Sequence, residues 1–400
     1  MNKSIVIIFL IILLLMIPVS TIAVRINKST SEINSLSALQ NDYIYYNYQD
    51  MTDLLHELEN QYSDIMSLES MGVTYEERDV WLVKLSDNVN ENENEPGVLL
   101  MGAHHGNEKP SYEMMIFFIK HMVENYGKPN TDDDGDGEIN EDPIDGKDND
   151  NDGQTDEDPS EDRVRDAIDN TQIFTFPMMN PDGVECGEDG TRKNCNPKEG
   201  QTRNFGVDLN RNYGYKWELY DLFPALYGDQ WTSNPESWNY RGEHPFSEVE
   251  TTAIKNVVEA NDVKISLSYH TYGEFIAYPW THNSGITPDE DLFVSIGEGI
   301  SDINNYYLYR GQSHIIPRPG GTIGTSENWL YGEQGVLSFL IELCKERVPT
   351  HPSIVYRYCI THVGVNLYVC ERAPDVVKNI NPDVKIRSFA LSMLQRLIPR

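Results

Sequence analysis

Apolar residues along this chain occur in two patterns, and the contrast between them predicts the architecture. In VLLMGAHHGNE (Val98–Glu108), IFTFPMMNPDG (Ile173–Gly183) and VLSFLIELC (Val336–Cys344) the apolar positions are nearly continuous, and VKISLSYHTYG (Val263–Gly273) reads as a further strand that ends at His270. Runs of this length bounded by Gly, Asn or Pro suit strands covered on both faces, as at the centre of an α/β sheet. Elsewhere the spacing is helical: YQDMTDLLHELENQY, SYEMMIFFIKHMVENYG behind Pro110, and EVETTAIKNVVEAN from Glu248. MGVTYEERDVWLVKLSDN reads as a strand with a polar turn on either side. The fold class is α/β.

Ligands of open α/β sheets collect beyond the carboxyl ends of the strands, and four such ends carry chemistry here. They present His105 with Glu108, Asn180 to Gly183, His270, and Glu342. Zinc accepts imidazole nitrogen and carboxylate oxygen, and its catalytic sites use three protein ligands plus water. His105, Glu108 and His270 make such a set, with Glu342 as a spare carboxylate. His104 is the weaker candidate, because Asn107 stands three residues after it. In an apolar strand the Glu342 carboxylate requires compensation, which a neighbouring zinc and its water would supply.

The stretches GAHHGNE, NPDG, TRKN, GVDLNRNY, YRGEHPFSEVE, SYHTYG and FLIEL follow the order seen in zinc carboxypeptidases of the A/B type. From about Tyr43 to Arg372 the chain resembles that family. The resemblance implies a single domain over 43–372, with a mixed, twisted central sheet flanked by helices. It makes His105, Glu108 and His270 the zinc ligands and Asp208 the carboxylate that holds the first histidine from behind. It makes Arg192 the cation that stabilises the oxyanion, Asn210 and Arg211 the pair that grips the substrate's free carboxylate, and Glu342 the general base and acid. The implied reaction is hydrolysis of the last peptide bond by zinc-activated water, with peptide or protein C-termini as substrates. Arg192 would meet charge developing on the carbonyl oxygen, and the fixed fork of Arg211 restricts cleavage to chain ends.

Two positions depart from the family pattern. Asn107 replaces an arginine inside HxxE. The mobile tyrosine over the substrate carboxylate is also missing: Gly320 takes its place in the register set by Trp329, and Ile316 in the register set by Gly320 and Gly321. Tyr307, Tyr309 and Tyr331 are candidates to substitute. The same registers give two bases for the side-chain pocket: Glu327, selecting C-terminal Lys or Arg, or Ile323, selecting apolar residues. Trp329 and Tyr331 extend the match that favours Glu327.

Composition narrows the partners. A formal charge of -33 over 400 residues argues against nucleic acid and anionic membrane surfaces. Much of it is local, since 132–162 holds 16 acidic residues against Lys147. There Asp132, Asp134, Asp136 and Asp148, Asp150, Asp152 each precede a glycine in the D-x-[DN]-x-[DN]-G opening of a calcium loop. Pro143 and Pro159 stand at the twelfth positions, so Asp142 and Asp158 must close the loops. The segment resembles the Asp-rich repeats of the thrombospondin type 3 and dockerin kind, and 130–162 is expected to bind structural Ca2+.

Residues 1–23 join Lys3 to an apolar run and small residues, a secretory signal peptide. An uncleaved anchor is the alternative, and only then would a membrane be a partner. Residues 24–42 are a linker or short propeptide, and 373–400 a tail. Cys186 and Cys195 bracket a short polar loop and are expected to pair. If 353–372 is one helix, Cys359 and Cys370 lie roughly 16 Å apart along it, too far to bond to each other. Two rival functions remain open to the sequence: an amidase or peptidase on γ-D-glutamyl cell-wall peptides, and a non-catalytic calcium-dependent binding protein.

Overall fold

The strands of this computed structural model, described for residues 45–128, 161–222, 232–283, 285–311 and 321–379, join in one sheet. They are β1 (Met66–Val73), β2 (Asp79–Leu85), β3 (Gly97–Met101), β4 (Gln172–Phe176), β5 (Val263–Thr271), β6 (Phe275–Tyr278), β7 (Tyr307–Arg310) and β8 (Leu337–Leu343). Their spatial order is β1-β2-β4-β3-β5-β8-β6-β7. The four runs read as central strands are the inner parallel strands β4, β3, β5 and β8. Every residue of β3, β4 and β5 is buried; β3 accordingly has no polar position, whereas β5 alternates Lys264, Ser266 and Ser268 with apolar residues although both its faces are covered. Antiparallel pairings place β2 and β1 on one side and β6 on the other, with β7 parallel to β6.

The helices are α1 (Tyr48–Gln61), α2 (Lys109–Asn125), α3 (Glu161–Asn170), α4 (Pro181–Glu185), α5 (Val249–Ala260), α6 (Glu290–Asn304), α7 (Ser326–Gln334) and α8 (Pro352–Asn379). Leu99, Met101, Phe174 and Phe176 pack on Ala253, Ile254 and Val257 of α5 and on Trp329 and Leu330 of α7. Val98 and Leu100 are equally buried and point to the opposite face by the two-residue period. Helix α2, buried along Met114, Met115, Ile119 and Met122, packs against β3, β4 and β5.

Residues 71–88 hold one strand, β2, between polar turns, as their pattern predicts, while 71–73 end the preceding strand β1, which the pattern does not show. Thr74 N donates to Arg78 O at 2.8 Å and Glu77 takes a positive φ of 59°. The polar run TYEER therefore closes a hairpin whose strands pair Val73 with Asp79.

Residues 1–42, the eight aspartates expected to bind calcium, Gly320 and Ile316 lie outside the described residues, as does the tail beyond Asn379. Among the described residues no helix is long and apolar enough to cross a membrane. Cys186 and Cys195 form a disulfide, while Cys344, Cys359 and Cys370 are buried thiols. Of the described residues, those in 45–349 and 357–379 belong to one compact unit, which contains the site below.

Candidate metal centre

Between β3 and β5 the order of the sheet changes direction: the chain moves from β3 outward to β4, then returns to place β5 on the other side of β3. Such a switch point opens a crevice at the carboxyl ends of the strands. His105 follows β3 by four residues and His270 is the penultimate residue of β5, so the two histidines flank that crevice. Glu342 of β8 pairs in register with His270.

His105, Glu108 and His270 bring one ligand atom each within 4.8 Å of one another, and all three are buried. The Nδ1 atoms of His105 and His270 lie 3.2 Å apart, and Glu108 places Oε1 2.9 Å from the first and Oε2 2.9 Å from the second. Two nitrogens each about 2.0–2.1 Å from a tetrahedral zinc would be roughly 3.3–3.4 Å apart. The donor set and its spacing therefore fit zinc.

The partners behind the ligands fix which nitrogen offers a lone pair. His105 Nε2 lies 3.1 Å from Asp208 Oδ1. Burial alone would raise the Asp208 carboxyl, but the charges of Arg192 and Arg211 and the hydrogen bond with His105 hold it well below its ordinary value. An ionised carboxylate only accepts, so Nε2 of His105 carries the proton and Nδ1 is left bare. His270 Nε2 meets Ser268 Oγ at 3.1 Å, Ser268 Oγ meets His104 Nδ1 at 3.1 Å, and His104 Nε2 meets the Tyr213 hydroxyl at 2.9 Å. For His270 to offer Nδ1, this chain must run outward: His270 donates to Ser268, Ser268 to His104, and His104 to Tyr213. Burial, with His270 and His105 beside it, pushes the His104 pKa well down, so that ring is the neutral link. His104 thus stands behind His270 and is not among the three metal-facing residues.

Glu108 shows the cost of the arrangement. It occupies the N-cap of α2 but makes no capping hydrogen bond, because its carboxylate faces the histidines and accepts from Thr271 N at 3.2 Å. A lost cap costs about 1 kcal/mol. Burial would raise this carboxyl, but the two imidazoles it faces, His105 first, outweigh it and hold the pKa down. Gly106 permits the close approach this loop needs: a Cβ there would fall 2.1 Å from the Gly183 carbonyl carbon. Asn180 completes that junction, donating to His104 O at 3.1 Å and Arg192 O at 3.4 Å.

Arg192 reaches the same place from its loop. Nε donates to Asp208 Oδ2 at 2.8 Å, and NH1 lies 3.3 Å from His105 Nδ1 and 4.0 Å from Glu108 Oε1. Asn210 accepts from Ser326 N at 2.9 Å and sets its amide nitrogen 3.4 Å from His270 Nε2. Arg211 follows in the same single turn, Leu209–Arg211, which Asp208 caps through Asn210 N. Glu342 is half-buried, and its Oε2 has no hydrogen-bond partner. Burial and the charge of Glu108 push its carboxyl well above the ordinary range.

Glu327 and Ile323 are both fully buried, so burial alone does not separate the two pocket registers. Their chemistry does differ, since both carboxylate oxygens of Glu327 lack any hydrogen-bond partner. Glu327 also acts electrostatically on His270 and Glu342. Tyr331 is buried, with its hydroxyl donating to Asp289 Oδ2 at 2.7 Å, an anchored position unlike that of a mobile cap. Tyr307 is 73% exposed on β7.

Sequence reasoning missed the neighbours of Arg192. Lys193 is buried, and its ammonium donates to the carbonyls of Asn204, Pro235 and Ser237. Asn194 donates to Glu248 and Glu250 and accepts from Val207 N at 2.8 Å. Trp238 stacks on the Arg192 guanidinium, whose carbon lies 4.7 Å from the ring centroid. Only the adjacency of Lys193 and Asn194 to Arg192 in TRKN hinted at this.

Comparison with known proteins agrees with this geometry. The chain is 27% identical over 311 residues to a zinc carboxypeptidase of Saccharothrix mutabilis subsp. capreolus, covering 75% of this chain and 62% of that protein. It is 24% identical over 310 residues to carboxypeptidase B of Astacus astacus, covering 75% and 86%. Its fold is that of bovine thrombin-activatable fibrinolysis inhibitor, solved in complex with tick carboxypeptidase inhibitor, with a TM-score of 0.63, 19% identity and coverage of 84% and 99%. Carboxypeptidase A from Helicoverpa armigera gives 0.64, with 18% identity and coverage of 82% and 74%. The family model described as zinc carboxypeptidase matches residues 51–358, and the chain belongs to the zinc carboxypeptidase family.

Proposed function

We propose that this protein is an exported metallocarboxypeptidase that removes the C-terminal residue of peptides, with a preference for Lys or Arg. The observation that carries the reading is the convergence of three buried ligand atoms beside an unpartnered Glu342 carboxylate oxygen. Zinc held by His105, Glu108 and His270 would supply a Lewis acid and lower the pKa of a water. Glu342 takes a proton from that water and returns it to the leaving amine, and its raised pKa makes it the stronger base. Arg192, anchored by Asp208, receives the charge that develops on the carbonyl oxygen. Asn210 and Arg211 hold the free carboxylate. The basic preference rests on Glu327, because a buried carboxylate with two unmatched oxygens requires a cation, and a substrate Lys or Arg brings one.

Export rests on residues 1–23, and calcium binding on the aspartate pattern at 132–158. The test is zinc content by mass spectrometry, followed by turnover of hippuryl-type substrates with and without phenanthroline. Stoichiometric zinc, cleavage and its loss to the chelator are expected. A protein that holds zinc yet cleaves no C-terminal residue would instead be a binding protein. Preferential cleavage of γ-D-glutamyl peptides would make it a cell-wall amidase.

A further inference from the structure

We infer that Trp238 forms a specificity wall for the residue preceding the scissile bond, selecting aromatic and large apolar side chains there. The inference rests on the role given to Arg192 above. Trp238 is 52% exposed although its ring lies against the Arg192 guanidinium. One face carries the Arg192 guanidinium, and the exposed surface is left to solvent.

The segment bearing Trp238 is held in place rather than loosely attached. Lys193 donates to Pro235 O at 3.1 Å and Ser237 O at 2.9 Å, on either side of Glu236. Gln201 donates to Pro235 O at 2.9 Å, Asn204 to Glu236 O at 3.0 Å, and Ser237 Oγ to Asn239 Oδ1 at 2.6 Å. Because Lys193 follows Arg192 directly, one short stretch of chain fixes both the cation and the segment that presents the indole. A large apolar side chain held exposed against the Arg192 guanidinium is available to whatever Arg192 meets.

Position identifies the occupant. The carbonyl that Arg192 would meet belongs to the penultimate residue, whereas Asn210, Arg211 and Glu327 handle the departing one. A ring stacked on the Arg192 guanidinium therefore lies beside the penultimate side chain. Aromatic residues stack on indole beyond what their area alone supplies, and a penultimate glycine gains nothing from it.

The experiment compares Trp238→Ala and Trp238→Phe on blocked dipeptides with Phe or Gly in the penultimate position. The C-terminal residue is held constant as Arg or Leu, whichever turns over faster. Trp238→Ala should lower the Phe/Gly ratio of kcat/KM by about three- to tenfold, the scale of one aromatic contact, and Trp238→Phe should restore most of it. Equal loss on both peptides would mean that Trp238 only steadies Arg192, and would overturn the inference. A second arm needs no turnover: a reduced-amide analogue of the Phe peptide should alter tryptophan emission in the native protein but not in Trp238→Phe, and the Gly analogue in neither. Absence of that difference also overturns it. A protein that cleaves neither peptide refutes the peptidase reading alone, since the emission arm still decides the wall.

Discussion

Glu248 and Glu250 at the start of α5 and Glu327 and Glu342 beside the metal ligands raise the same physical problem, carboxylates taken out of water. The two regions solve it differently. Glu248 accepts from Ser247 Oγ at 2.7 Å, Asn194 Nδ2 at 2.8 Å and Asn196 Nδ2 at 3.3 Å, and pairs with Lys198 at 3.0 Å. Glu250 shares the Asn194 amide at 3.1 Å. The protein answers these groups itself. Glu327 and Glu342 keep three oxygens with no partner between them. An unanswered buried carboxylate is destabilising, so the second region stores a demand that water, metal and substrate would meet. The contrast separates carboxylates that build the fold from those that await a ligand.

The hardest test of that contrast is Glu342→Gln. Turnover should fall by about a thousandfold or more, the scale of losing a general base that acts as part of a unit. Zinc content should not change, and thermal stability should hold or rise. Loss of zinc or a lower melting temperature would place Glu342 with the structural carboxylates. Removing zinc should abolish activity as fully and lower the melting temperature, because an ion bound only by the folded state stabilises it. Both should return on adding zinc back.

Glu327→Gln carries the next largest effect. Leaving a substrate cation without its partner costs about 2–5 kcal/mol, so the Arg/Phe ratio of kcat/KM should drop roughly 30-fold or more. The same change removes an unpaired buried charge and should raise stability by about 1–3 kcal/mol. Glu248→Ala should do the opposite, costing about 2–3 kcal/mol through orphaned donors on Asn194 and Lys198. An unchanged Arg/Phe ratio in Glu327→Lys would remove the basic pocket and leave Ile323 as its base.

These sites differ in how far the sequence exposes them. Of the inner strands, β5 is legible because its apolar residues alternate, and β3 and β8 because burial on both faces makes them largely apolar. Glu342 stood out against such a strand. Strands β6 and β7 have four residues each, too few to show a period, and helix α7 carries a weak apolar pattern because Ser326, Glu327 and Asn328 are buried along with Trp329. Polar TYEER marks the turn before β2, but β1, MSLESMGV, is half-buried or exposed after Met66 and shows no apolar period, so its pairing with β2 is not legible. At the site, His105 and Glu108 were readable as a local pair. The link from His105 to Asp208 spans 103 residues, and only the family pattern joined them. The hold on Arg192 by Trp238, 46 positions away in sequence and reached through space, had no local pattern at all.

The last effect concerns the pair the protein answers and is read from pH dependence alone. Burial, then the charge of Glu248, push the Glu250 carboxyl from 4.5 to about 8. A folded pKa above the unfolded one means that the native state keeps a proton the unfolded chain has released. The contribution of this group is therefore fully present below about pH 4.5, declines as pH rises, and is lost by about pH 8. Its slope is at most about 1.4 kcal/mol per pH unit. In Glu250→Gln that slope should vanish, because an amide oxygen still accepts from Asn194 without titrating. Urea midpoints at pH 5, 6, 7 and 8 should start close together for the two proteins and diverge upward, with Glu250→Gln the more stable at pH 8. Parallel curves would show that Glu250 stays ionised in the fold, and the line between answered and waiting carboxylates would then rest on hydrogen bonds alone.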